Sequence, residues 1–345
     1  MSLYKHLLRP LLFLTAPDRA HDLAMGLCRR LEGRDWLLKP IQRHFTVDHP
    51  VLQREVFGLN FPNPVGLAAG FDKNATALGM IQALGFGHVE IGSVTARAGP
   101  GNPKPRNFRL VADESIINRM GLGNDGAEVV AARITRCKPA IPVGINIAKS
   151  NDPTITGQAA LEDYRTSLKA VRGVADFITL NISCPNTGDG RTFEEPGSLD
   201  QLLGFLDIAT DHARPPVLVK FSVDLAPGQL AELVEICRRH RIDGYVAVNT
   251  SMSRDGLKES PARLEQIGYG GLSGRAIAAR STEFIARLHE ITAGGQPIIG
   301  VGGIFTAADA IEKLEAGASL VQVYTGLIFE GPGVVRAINR GLVAG

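Results

Sequence analysis

Hydrophobic residues recur along this chain in two rhythms. Over residues 1–43, Leu3, Leu7, Leu8, Leu11, Leu12 and Leu14 cluster around Lys5, His6 and Arg9, with Pro10 as an interruption. Thr15-Ala16-Pro17-Asp18 reads as a helix start. Behind it Ala20, Leu23, Ala24, Leu27 and Leu31 return at helical spacing and predict an amphipathic helix.

From residue 56 the rhythm shortens. β-rich apolar runs end in Gly, Asn, Ser or Thr, and helical stretches separate them. The pattern predicts strands over 65–67, 88–91, 143–147, 177–181, 217–221, 245–249, 298–301 and 320–324. It predicts helices over 75–84, 127–135, 161–171, 229–239, 282–291 and 307–316. Eight alternations point to a (β/α)8 TIM barrel of α/β class, whose sites gather at the C-terminal ends of the strands. A doubly wound open sheet is the alternative. The expected organisation is an N-terminal two-helix extension over 1–43 and a barrel over 44–345. A hairpin over 54–62 closes the barrel bottom in this reading. Residues 93–125 and 251–274 are polar and glycine-rich, and read as long structured loops at the mouth, where function is usual.

Composition narrows the partners. With 345 residues and 44% hydrophobic side chains the chain buries a large core, and a net charge of +2 gives no support to nucleic-acid binding. Cys28, Cys137, Cys184 and Cys237 show neither CxxC spacing nor a neighbouring His at zinc-ligand spacing, so no metal is expected. A disulfide framework does not suit a chain of this size, and a reducing compartment is the default. Charge is uneven, however. Residues 1–43 carry eight Lys/Arg against four Asp/Glu, a surplus of four. No apolar run approaches the ~20 residues of a spanning helix, and no secretory cleavage site follows. A basic amphipathic helical pair suits an anionic membrane surface, and a helical cap packed on the barrel is the other reading.

Candidate chemistry sits at the strand ends. The first strand runs into Ala68-Ala69-Gly70-Phe71-Asp72-Lys73, where small residues admit a flat cofactor and Lys73 meets an anionic substrate. Asn118, Asn146, Asn181 and Asn249 stand at mouth positions, although Asn is a poor strand residue, and suit a ring with alternating donors and acceptors. Asn181-Ile182-Ser183-Cys184-Pro185-Asn186 places a thiol between two amides just past a strand, able to take a proton; an ordinary turn is its bland reading. Lys220, inside the run Val217–Phe221, is costly unless paired or used, either to stabilise a reduced anionic cofactor or to form a Schiff base. Gly300 to Ile304 and Tyr324-Thr325-Gly326 follow the last two strands, where such barrels hold phosphate. A phosphate, a ring and an internal lysine together suit flavin mononucleotide (FMN).

From about residue 10 to 335 the sequence resembles the dihydroorotate dehydrogenases. The motifs are Gly66–Lys73, Ile117-Asn118-Arg119-Met120-Gly121, Asn181–Asn186, Gly271–Gly274, Gly300–Ile304 and Tyr324-Thr325-Gly326. The N-terminal extension looks like that of the membrane-associated, quinone-using class 2 branch. The resemblance implies oxidation of dihydroorotate to orotate, for pyrimidine biosynthesis, with a membrane quinone as final acceptor. It implies peripheral attachment at the cytoplasmic face of the cell membrane.

Carried over by motif, flavin contacts fall on Ala69, Gly70, Phe71, Asp72, Lys73, Ser93, Asn146, Asn181, Lys220, Val248, Gly274, Gly303, Tyr324 and Thr325. Substrate contacts fall on Lys73, Asn118, Arg119, Met120, Gly121, Leu122, Asn181, Asn186, Asn249 and Thr250. His21, Arg109 and Tyr324 match positions near the quinone tunnel, and Cys184 and Lys220 take the catalytic roles. Class 2 members usually carry serine at the Cys184 position, and cysteine is the habit of the soluble class 1 branch. A class 1 activity with fumarate or NAD, a Schiff-base lyase using Lys220 and a non-catalytic helical adaptor are the competing readings.

Overall fold

In a computed structural model, which describes residues 4–183, 193–211 and 213–345, thirteen strands form. They are β1 (Arg54–Val56), β2 (Leu59–Phe61), β3 (Val65–Leu67), β4 (His88–Val94), β5 (Asn107–Leu110), β6 (Ser115–Asn118) and β7 (Val143–Ile147). There follow β8 (Phe177–Asn181), β9 (Val217–Phe221), β10 (Gly244–Ala247), β11 (Gly271–Gly274), β12 (Ile298–Val301) and β13 (Leu320–Val323). Eight of them close a parallel barrel in the order β3-β4-β7-β8-β9-β10-β12-β13. The closed ring excludes the open sheet.

Side-chain alternation explains how the barrel fills. Outward residues such as Val89, Ile91, Val143 and Ile145 join the large core beneath the helices. Inward positions pair large with small: a Cβ on Gly66 would lie 2.1 Å from the His88 ring, and one on Gly144 would lie 2.2 Å from Phe177. At the bottom, Val56 and Phe61 of the β1–β2 hairpin pack with Phe177, Leu218, Ile299 and Leu320, so the hairpin is the expected plug. The helices begin on sequence signals. Pro opens Pro196–Leu206, Pro227–Arg239 and Pro261–Ile267, and Thr306 with Asp309 forms a capping box on Ala307–Glu315.

The two mouth stretches read as loops contain a second sheet. β5 and β6 form a hairpin, and β11 pairs with β6, giving an antiparallel sheet in the order β11-β6-β5. Helices Pro196–Leu206 and Val334–Ala344 also go beyond the predicted set.

The extension is helical as expected, with an added short leading turn: α1 (Arg9–Phe13), α2 (Pro17–Leu31) and α3 (Asp35–Phe45). Specific polar contacts seat it. Buried Asp18 accepts from Arg106 N at 2.8 Å and Asn107 Nδ2 at 2.7 Å. Glu32 accepts from Gly79 N at 2.8 Å, and Tyr4 Oη donates to Ile328 O at 2.7 Å. Leu38 packs with Met80 and Ala83.

Candidate active site

A cleft enclosing about 1010 Å³, open space at its mouth included, lies at the C-terminal ends of the barrel strands. Ala69, Gly70, Lys73, Ser93, Asn181, Lys220, Val248, Gly274, Gly303, Tyr324 and Thr325 line it, as do Asn118, Met120, Gly121, Leu122, Asn249 and Thr250. Most members of the two expected contact sets therefore line one cleft. Cys184 and Asn186 lie outside the described residues.

Amides and hydroxyls are linked into a ladder along the floor. Asn249 Nδ2 donates to Asn181 Oδ1 at 3.3 Å and to Ser183 Oγ at 2.9 Å, and Asn181 Nδ2 donates to Ser93 Oγ at 2.9 Å. Ser93 Oγ donates to Asn146 Oδ1 at 2.5 Å, and Asn146 Nδ2 to Glu90 Oε1 at 2.7 Å. Asn146 is thus held beneath the cleft, behind Ser93. Tyr164 Oη donates to the Asn181 carbonyl at 2.7 Å and fixes that strand end.

Charge in the cleft is positive. Lys220 is buried on β9, and no hydrogen bond or ion pair joins its ammonium to a described residue. A buried cation without a partner is costly unless a ligand supplies the counter-charge. Lys73 Nζ donates to Gly70 O at 2.8 Å; burial, reinforced by the Arg106 charge, lowers its pKa to about 8. Opposite, a Cβ on Gly303 would lie 2.3 Å from that of Ala278, with φ at +73°, so only glycine fits this loop. The unpaired ammonium, the amide ladder and the glycine loop are the donor set that a phosphorylated flavin requires.

Tyr324 joins this cleft to the extension. Its ring meets Phe71 edge-on at 5.7 Å between centroids, and Phe71 meets His21 of α2 at 5.2 Å. Burial, with the Lys73 charge added, lowers the His21 pKa to about 4, and burial raises that of Tyr324 to about 12. Arg109 lies 4.5 Å over the Phe13 ring and donates to the carbonyls of Phe13 and Thr15, fastening α1 to β5.

Besides Asn146, three expected residues stand back from the cleft wall. Asp72 accepts from the backbone of Asn74, Thr76 and Ala77 and shapes the turn after β3; burial raises its pKa. Phe71 lies behind Tyr324. Arg119 turns outward, between the Phe108 and Tyr269 rings, and donates to Tyr269 O at 3.1 Å. Sequence reasoning missed Ile277 and Gln322 on the wall, and Glu90 and His88 beneath it. Gln322 and Glu90 carried the signal used for Lys220, a polar residue inside an apolar strand.

A barrel with a glycine loop after β12, a buried lysine and an amide-lined mouth is the architecture of a flavin oxidoreductase. The family model described as dihydroorotate dehydrogenase matches residues 51–344, and the chain belongs to that family. Among its relatives, a dihydroorotate dehydrogenase (quinone) of Thermus thermophilus is 46% identical over 335 residues, covering 96% of this chain and 94% of the relative. A dihydroorotate dehydrogenase (quinone) of Thermosynechococcus vestitus is 45% identical over 355 residues, covering 99% and 96%. A crystal structure of DHODH from Eimeria tenella in complex with ferulenol superposes with a TM-score of 0.82 at 33% identity, covering 95% of this chain and 91% of that one.

Proposed function

We propose that this chain oxidises dihydroorotate to orotate, with FMN as its resident cofactor and a membrane quinone as the final electron acceptor. When bound, the flavin supplies the hydride-accepting and quinone-reducing chemistry. The protein's share is positioning, charge and proton transfer. Lys220 offers a fixed cation where negative charge develops on a reduced ring, an electrostatic role. Ser93, Asn181 and Tyr324 flank the ring site, and Gly274, Gly303 and Thr325 cradle the phosphate. Asn118, Asn249 and Thr250 hold the planar substrate, with Lys73 beside its carboxylate. Cys184 acts as the base that takes a proton from substrate carbon; a thiol near its reference pKa of ~8.5 needs neighbours that lower it.

The observation that carries the quinone reading is the ring sequence His21, Phe71, Tyr324, running from α2 to the cleft. Membrane attachment is supported by Leu7, Leu8, Leu11, Leu14, Leu23, Leu27 and Trp36, each at least half exposed. Among the described residues no helix is long and apolar enough to cross a membrane, so attachment is peripheral in this reading. Residues 1–43 then serve as a quinone-access segment on a barrel of residues 44–345, at the cytoplasmic face of the cell membrane. Cys184 favours the class 1 reading on its own, and an acceptor screen decides. With dihydroorotate as donor, ubiquinone or menaquinone should turn over and fumarate and NAD should not. The reverse result moves the chain to the soluble branch.

A further inference from the structure

Glu90 lies on β4 beneath the cleft and is fully buried. Its Oε1 accepts from Asn146 Nδ2 at 2.7 Å and its Oε2 from Gln322 Nε2 at 2.8 Å. A side-chain amide has a donor end and an acceptor end. Turned round, either amide would set oxygen against a Glu90 oxygen. Asn146, held in this sense, has its Oδ1 free to accept from Ser93 Oγ at 2.5 Å. The Ser93 proton is then committed, and its oxygen accepts from Asn181 Nδ2 at 2.9 Å. Asn181 Oδ1 in turn accepts from Asn249 Nδ2 at 3.3 Å. Ser93, Asn181, Asn249 and Gln322 line the cleft, whereas Glu90 does not.

We propose that Glu90 is a positioning residue that sets the direction of the whole ladder, and so decides where the cleft offers donors and where acceptors. The inference rests on the reading of the cleft as a site for FMN and dihydroorotate. A ring with a fixed donor and acceptor pattern is recognised only by an array of the complementary sense. One reversed amide places like against like and leaves buried polar groups unpaired. A carboxyl that merely filled the core would satisfy its two neighbours without affecting what the cleft displays.

Glu90→Gln puts an amide N–H where both neighbours donate, so one of them must turn. Gln322→Glu sets two carboxyl groups face to face. The exchanged pair, Glu90→Gln with Gln322→Glu, restores one donor facing one acceptor and leaves an oxygen for Asn146. Titration of the flavin-stripped chain with FMN, followed by flavin fluorescence, reads the first ligand. Titration of the FMN-loaded chain with orotate, followed by the visible flavin band, reads the second.

Each single substitution should weaken both affinities roughly tenfold or more, the scale of one buried mismatch. The exchanged pair should recover most of the loss, as coupled neighbours do. Thermal unfolding of the flavin-free forms shows which variants are folded. Where Glu90→Gln alone does not fold, the exchanged pair decides: folded with near-wild-type affinities supports the proposal, and unfolded or weak binding overturns it. Single variants that bind both ligands like wild type overturn it while leaving the reading of the cleft intact. A wild-type chain that takes up no FMN overturns that reading and this inference together.

Discussion

The barrel mouth and the N-terminal extension solve opposite problems. At the mouth, polar groups are buried and tied to one another, from Asn249 through Ser93 to Glu90, and the Lys220 ammonium is left for a ligand. In the extension, polar groups such as Asp18 and Arg109 are spent on fastening helices to the barrel, while leucines face outward. Leu14 is 85% exposed and Trp36 74%, which suits the membrane attachment proposed above. Each aliphatic side chain buried there contributes about 1.5–3 kcal/mol. A region that leaves ligand groups unpaired suits chemistry, and one that leaves apolar groups unpaired suits the proposed docking.

The sharpest way to break this division is at the mouth. Cys184→Ala removes the proposed base and should slow flavin reduction by dihydroorotate by roughly 10²–10⁴-fold, the scale of general-base catalysis. Reoxidation of chemically reduced enzyme by quinone should be unchanged. Stopped-flow absorbance of each half-reaction checks both. Equal slowing of the two would place Cys184 in the structure rather than in proton transfer.

The next effect belongs to the other region. Leu11→Asp, Leu14→Asp and Leu27→Asp combined should lower affinity for anionic lipid vesicles by more than about 100-fold, from about 1.5–3 kcal/mol per lost leucine. Dihydroorotate should still bleach the flavin. Sedimentation with vesicles reads the first quantity, and unaltered binding would leave the exposed leucines without a membrane role.

Lys220→Met should weaken flavin retention by roughly 10–100-fold, the scale of one charged hydrogen bond. The fold should persist, because no described residue loses a partner. Flavin content after dialysis, with thermal unfolding of the flavin-free form, measures both. Full retention would deny the lysine its role as counter-charge.

The smallest effect is one of pH. Burial lowers the His21 pKa from 6.5 to about 4, so the unfolded chain protonates this ring first. The stability it contributes is complete above pH 6.5 and is lost as pH falls through about 4. His21→Gln should flatten the dependence of the melting temperature over that window. An unchanged slope would mean that the ring is solvated beside Phe71.

How much of this was legible in the sequence follows the same division. Strands such as Val217–Phe221 announce themselves because both faces are buried, and a lone Lys220 within one stands out. The second sheet was hidden, since β11 is Gly-Leu-Ser-Gly and glycine-rich edges carry no strand signal. Helix Pro196–Leu206 opens on Glu195-Pro196-Gly197, which reads as a turn until Leu199, Leu202 and Leu203 are seen buried. Arg119 is placed toward the cleft by its motif, but its outward turn is set by Phe108 across the β5–β6 hairpin and by Tyr269, which is distant in sequence. Local pattern fixes element type. Direction of a side chain depends on partners that only the closed barrel assembles.

The most direct test of the account is an anaerobic double-mixing experiment on the full chain. Dihydroorotate is added first and a soluble quinone analogue second, while the visible flavin band is followed. The account predicts that the band bleaches on the first addition and returns on the second. No bleaching by dihydroorotate, or return with fumarate or NAD but not with quinone, would contradict it.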